Sequence, residues 1–218
     1  MVDSLAKDAR LPAVGTRQRL RHVTHRLHTR LSAQPLLYGL TRPDYPLSIY
    51  KLVLTANFHV YRSIENAIES CLAAPAFSAP FPYADRRKLP WLAEDLQHFG
   101  IDPDVAAHRP RKPPLLNVPG GPGQLIGTLY AIEGATLGGQ VVSRQLQANL
   151  GLAATTGARF FHGYGDGAET GRRWQAFEQY ADSVSDDALE LRAAENAATA
   201  VFKMIEVQLD DYHARFVR

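Results

Sequence analysis

Two stretches of the chain carry residues whose types and spacing suit chemistry. The first, LRHVTHRLHTRL, spaces His22, His25 and His28 at steps of three. Imidazole is the commonest biological metal ligand and titrates near neutral pH, so a histidine at the margin of a buried helix face is a candidate ligand or proton carrier. The second, EGATLGGQ, sets Gly134, Gly138 and Gly139 inside an otherwise helical pattern. Each helical glycine costs about 1 kcal/mol relative to alanine, so the group forgoes about 3 kcal/mol. That is a large part of a domain's net stability. Two physical reasons could justify it. Either another helix backbone packs very closely there, or a flat ligand lies on the bare peptide groups and would clash with any Cβ. Gly134 and Gly138, four apart, share a face, and Gly139 beside them can let the helix bend.

The elements that must position these residues read as helices. Leu20, Val23, Leu27 and Leu31 recur at steps of three and four, forming the buried stripe of a first helix with Thr16 as N-cap. His28 sits on the edge of that stripe, whereas His22 and His25 rotate away. A histidine at such an edge can equally be a hydrogen-bonded structural residue. The three histidines spread over more than half the helix circumference, which disfavours a shared metal site. A second helix follows Pro46, with Ile49, Leu52, Phe58, Tyr61, Ile64 and Ile68 on roughly one face. The proline-rich stretch 73–90 breaks regularity and places Cys71 at a loop, and WLAEDLQHFGID then gives a short helix closed by Gly100. The glycine-bearing helix carries Leu125, Leu129, Ile132, Leu137, Val141 and Leu146 at helical spacing; 151–173 reads as a turn-rich loop. The strongest stripe is C-terminal: Leu191, Ala194, Ala198, Val201, Phe202, Ile205, Leu209, Tyr212 and Phe216. With no repeat and no convincing hairpin, the class is all-α, a single helical bundle over 16–218 preceded by a flexible segment over 1–15.

Composition narrows the functional classes. The 218 residues are 45% hydrophobic and 21% charged, with a formal net charge of +2, the balance of a globular protein without general affinity for nucleic acid or membranes. The single cysteine forms no intramolecular disulfide, the stretch MVDSLAKDARLPAVGTRQRLRHV lacks the uninterrupted apolar core expected of a secretory signal, and no run is long enough to span a bilayer. These features predict a cytoplasmic protein.

An imidazole on one helix and a glycine platform on another would suit haem held between a proximal ligand and a distal backbone. The two stretches together resemble the haem oxygenase family, especially the bacterial branch associated with bacteriophytochromes. The family's proximal pattern, Leu-Arg-x-x-Thr-x-x-x-His-x-x-Leu, is matched by Leu20, Arg21, Thr24, His28 and Leu31. Its distal pattern, Glu-Gly-(Ser/Ala)-x-Leu-Gly, is matched by Glu133, Gly134, Ala135, Leu137 and Gly138. Tyr61 falls where some members supply a distal-side tyrosine, and the likeness runs from Gly15 to the end of the chain.

The resemblance implies a haem-oxygenase-like fold clamping haem b, both cofactor and substrate, between the first helix and a kinked distal helix. It implies opening of haem to biliverdin with release of carbon monoxide and ferrous iron, using O2 and external electrons. His28 becomes the axial ligand of the iron. Gly134 and Gly138 press the distal helix on the ring, Gly139 gives it freedom to move, and Arg21 meets a propionate, with Arg144, Arg172 and Lys203 as candidates for the second anchor. An electron-donor protein such as ferredoxin or a reductase, and a bacteriophytochrome as bilin acceptor, are the implied partners. One departure stands out. Many members carry an aspartate after the first distal glycine, where it orders water; here that residue is Ala135, and Thr136 points about 100° away. A non-degrading haem- or bilin-binding protein of the same fold is therefore the alternative. A relative acting on a thiamine-like or metal substrate would need a cysteine nucleophile or a carboxylate–histidine cluster, and the chain has no Glu-x-x-His pair.

Overall fold

The computed structural model describes residues 15–74, 81–117, 120–184 and 187–217. Among them are seven α-helices and no strand: α1 Thr16–Ser32, α2 Leu47–Leu72, α3 Leu89–His98, α4 Pro122–Leu150, α5 Arg159–His162, α6 Gly167–Val184 and α7 Ala188–Phe216. One turn of 3-10 helix spans Ala84–Arg86. The expected all-α, single-domain class holds. The segment expected to be flexible, 1–15, lies outside the described residues except for Gly15.

Each helix buries the stripe its sequence spacing dictates, with local exceptions. In α1 the buried residues are Thr16, Leu20, Thr24, Leu27 and Leu31. Thr24 takes the buried place expected of Val23 because its hydroxyl donates to Leu20 O at 2.7 Å and needs no other partner. The flanking residue at the start is Gly15; Thr16, expected as the cap, is already helical. α2 is buried on every side from Val53 to Tyr61, which makes it the central helix. Cys71 is buried in its last turn and not in a loop, because the helix continues to Leu72. Gly100 closes α3 in the left-handed conformation, φ +66°, its amide bonded to Gln97 O at 3.0 Å and that of Ile101 to Leu96 O at 2.9 Å.

The segment 151–173 is not the loop its glycines suggest. It contains α5 and the opening turns of α6, whose start is fixed by Asp166: the carboxylate accepts from Glu169 N at 2.7 Å.

Two constant offsets define the packing that matters for the site. Arg19 pairs with Glu195, Arg30 with Glu206 and Gln34 with Asp210, each 176 residues apart, so α1 and α7 run parallel and in register. α4 packs most extensively on α7. Gly123 N donates to the Glu190 side chain at 2.5 Å, 67 residues away. One turn on, Gly127 meets the Ala194 carbonyl at the same offset, so α4 is parallel to α7 as well. α1 and α4 both rest on α7 and touch each other only narrowly.

Candidate functional site

On α1, Leu27 and Leu31 are buried and His28, one residue on from Leu27, is turned outward and exposed. Its ring lies 6.4 Å from that of Phe202 on α7, tilted by 58°. Among the described residues its ring nitrogens have no hydrogen-bond partner, so it is not the satisfied structural histidine the stripe edge also allowed. The bidentate contact of Arg30 with Glu206, at 2.9 and 2.5 Å, holds the turn after His28 on α7. His22, His25 and Arg21 are exposed as well. Among the described residues no three His, Cys, Asp or Glu side chains lie close enough to share a metal ion, which removes the His22–His25–His28 metal reading.

The glycines of α4 divide by surroundings. A Cβ on Gly138 would meet nothing within 4 Å, and one on Gly134 would make ordinary contact with the Trp174 ring at 3.8 Å. A Cβ on Gly139 would lie 3.0 Å from Phe161 O. Gly139 is therefore buried against α5, where close packing explains it; α4 runs as one continuous helix through all three glycines. The apolar stripe predicted for this helix is interrupted at the same place: Leu137 is 39% and Val141 52% exposed. Ala135 and Gly138 are exposed beside them, so the middle of α4 presents a small-residue, apolar strip to solvent. The residue registers bring this strip and His28 to one level. The offset of 176 sets His28 beside Met204, and the offset of 67 sets Gly134–Gly138 beside 201–205.

Tyr61 is placed differently. It is fully buried on α2, its ring edge-on to Phe160 at 5.1 Å. Burial, with Glu133 and Glu65 nearby, pushes its hydroxyl well above the ordinary phenol range. Thr136 is buried and donates to Ile132 O at 2.9 Å, so it offers nothing to the exposed face around Ala135. Of the basic candidates, Arg172 pairs with Glu169. Arg21, Arg144 and Lys203 are exposed and have no ion-pair partner among the described residues.

A charged cluster that sequence reasoning missed lies directly beneath Gly134. Lys88 is 0% and Glu133 2% exposed. The Lys88 ammonium donates to Glu133 Oε1 at 2.6 Å, Arg86 O at 2.6 Å and Tyr164 Oη at 2.7 Å, which uses all three of its protons. Tyr164 donates on to Glu133 at 2.9 Å. Arg86 Nη1 reaches Glu133 Oε2 and Arg173 O, both at 3.1 Å. Glu65, wholly buried, accepts from Lys88 N at 2.5 Å and Leu89 N at 3.0 Å at the start of α3. Burial pulls the Lys88 pKa down, and the Glu133 charge opposes it. The sequence signal is faint: DRRK at 85–88 reads as a solvated charge run, and Glu133 reads as one letter of a motif.

Comparison with known proteins bears on the family and the fold. The family model described as Heme oxygenase matches residues 15–210. No curated protein sequence matches the chain. A heme oxygenase from Neisseria meningitidis, solved with NO and CO bound, is similar at a TM-score of 0.74 and 20% identity, over 93% of this chain and 94% of that one. Heme oxygenase-2 from Synechocystis, in complex with heme and NO, gives 0.71 at 17% identity over 92% and 86%. The heme oxygenase of Leptospira interrogans gives 0.69 at 16% over 89% and 98%. The likenesses establish the fold, and the family match, which spans nearly the whole chain, shows that this protein belongs to the haem oxygenase family.

Proposed function

We propose that this chain binds haem b between α1 and α4 and opens it to biliverdin, releasing carbon monoxide and ferrous iron. The observation that carries the reading is the pairing, at one level of α7, of an exposed and unengaged His28 imidazole with the open strip Gly134–Gly138. The residues fit the group: a free imidazole beside an aromatic ring, a helix face without Cβ atoms flanked by apolar Leu137 and Val141, and uncommitted cations around it. Bound haem supplies both the iron that activates O2 and the ring that is cleaved.

The protein's part is binding, orientation and exclusion of water. His28 would provide the imidazole nitrogen that holds the iron. Gly134 and Gly138 would let the α4 backbone lie against a bound ring and shield its edge. Arg21, Arg144 and Lys203, exposed and without ion-pair partners among the described residues, would meet propionates as charge-assisted donors. Tyr61, buried on α2, holds its proton at any physiological pH and would act as a hydrogen-bond donor only from beneath the distal side. Electrons come from an external donor such as ferredoxin or a reductase, and the bilin passes to a bacteriophytochrome in the cytoplasm.

Incubating the purified protein with hemin, a reductase system and O2 should yield biliverdin. His28→Ala should lose the axial-imidazole spectrum and at least 100-fold in turnover while its helical content stays the same. Unchanged ring opening in that variant would sink the assignment.

Ala135 favours a second reading, a haem- or bilin-binding protein that does not cleave the ring. Its methyl group orders no water, and the neighbouring Thr136 hydroxyl is turned inward. Reducing the haem complex without air and then admitting O2 separates the two. An enzyme replaces the Soret band with a bilin spectrum, whereas a carrier keeps the Soret band.

A further inference from the structure

Lys88, Glu133 and Tyr164 form a charged, hydrogen-bonded network in the interior of the fold. Two opposite charges removed from water carry a heavy desolvation cost before their attraction returns anything, and apolar residues of similar size often serve as well. Buried ion pairs are best attested where they select one arrangement among several. Here the three protons of Lys88 and both oxygens of Glu133 are engaged, and the bonds converge from separate elements: Arg86 and Lys88 from the turn before α3, Glu133 from α4, Tyr164 from the loop between α5 and α6. Arg86 extends the tie to Arg173 O on α6, and Glu65 extends it to α2. Glu133 is covalently next to Gly134, the first residue of the open strip.

The outer face of the strip has little to fix it, while its inner side is held by Gly139 against Phe161 and by Gln140, whose amide donates to His162 O at 2.8 Å. Among the described residues nothing lies within 4 Å of a Cβ built on Gly138, and one on Gly134 would meet only the edge of Trp174. A bare helix segment can therefore rotate or shift unless something inside holds it.

We infer that Lys88, Glu133 and Tyr164 are positioning residues that set the rotation and height of α4 at Gly134–Gly138, and so determine which edge of a bound tetrapyrrole is left open. The inference rests on the haem reading for its consequence, but its mechanical part concerns this chain alone.

The test uses Lys88→Met, which leaves the Glu133–Arg86 pair charge-balanced, and Glu133→Gln, which keeps the shape and removes the charge. In the haem-free full-length protein, hydrogen exchange is followed at the amides of 134–139 and compared with those of α1 and α7. The expected result is exchange at least ten-fold faster at 134–139 with α1 and α7 unchanged. In the haem-loaded protein, both variants should release haem to an apoglobin several-fold faster and shift the ratio of bilin isomers, while His28→Ala leaves the exchange pattern of the haem-free protein as it was. Faster exchange in all helices equally, or unchanged exchange with an unchanged isomer ratio, would overturn the inference and reduce the cluster to an ordinary core contact. If the unmodified protein forms no haem complex, the functional reading falls, and the exchange pattern alone decides whether the cluster fixes α4. Should Glu133→Gln fail to fold, Lys88→Met decides both arms.

Discussion

α4 contains two glycine pairs with the same four-residue spacing and opposite surroundings. At Gly123 and Gly127 a Cβ would fall well inside contact distance of the Glu190 and Ala194 carbonyl oxygens of α7. At Gly134 and Gly138 it would meet a ring edge or nothing. The first pair is explained by helix packing, because only bare backbones approach that closely. The second pair has no packing partner to justify it, and a helix that accepts the entropy cost of glycine without one is keeping its surface free for something else. Spacing alone does not distinguish the two; the neighbour across the interface does.

Substitutions can break or sharpen this contrast. The largest effect is expected at Gly127→Ala, where the new methyl collides with backbone that cannot yield locally. Denaturant unfolding should show a loss of about 3 kcal/mol, the upper part of the usual range for overpacking, and near-neutral stability there would remove the distinction. Gly138→Leu should behave in the opposite way: unfolding close to that of the unmodified protein, but haem affinity at least ten-fold weaker in a Soret titration, which corresponds to about 1.4 kcal/mol. Equal losses of stability and affinity would return Gly134 and Gly138 to plain packing.

Gly139 is the intermediate case. Its neighbour Phe161 belongs to α5, and the start of α5 is held by Asp95, which accepts from Arg159 N at 2.6 Å and Phe160 N at 2.8 Å. Burial raises the Asp95 pKa from 3.8 to about 6 despite those bonds. Ionisation is thus harder in the folded state, and the stability contribution of Asp95 is complete below pH about 4 and lost as pH rises through about 6. His59, pushed down to about 4 by burial, slopes the other way over the same interval. The difference between Asp95→Asn and the unmodified protein isolates the carboxylate and should change by at most about 1.4 kcal/mol per pH unit; a difference that is flat between pH 4 and 6 would contradict it. The smallest effect is expected at Gly138→Ala, which should raise the stability of the haem-free protein by about 0.5–1 kcal/mol, as alanine does in an unobstructed helix. Calorimetry would show it, and a destabilisation would mean that the strip is not open.

Much of this arrangement is written in the order of the residues. The stripes of α1 and α7 are legible because an amphipathic helix writes its buried face as a period, and His28 falls at the margin of one, as its spacing predicts. The glycines at 134–139 announce themselves as a cost. Gly123 and Gly127 do not, because PGGPG reads as loop and the helix start falls in its middle. The exposure of Leu137 and Val141 runs against periodicity, which assumes that every apolar residue on a stripe meets protein. α5 and the start of α6 are hidden by glycines whose effect Asp166 overrides with a single cap. The Lys88–Glu133–Tyr164 cluster is hidden because burial of a lysine depends on partners 45 and 76 residues away, a relation that no local pattern encodes.

The constant offset between α1 and α7 has a consequence for the order of assembly. Arg19 and Arg30 find their carboxylates 176 residues later, on the last of the described helices. A chain emerging from the ribosome can form α2 and α3 from local contacts, yet α1 meets its most extensive surface only once α7 has been made, and closing so long a loop is slow. His28 therefore gains its neighbour Phe202 only near the end of synthesis. A stop within α7 before Glu206 would leave the early helices able to form while denying the histidine its support.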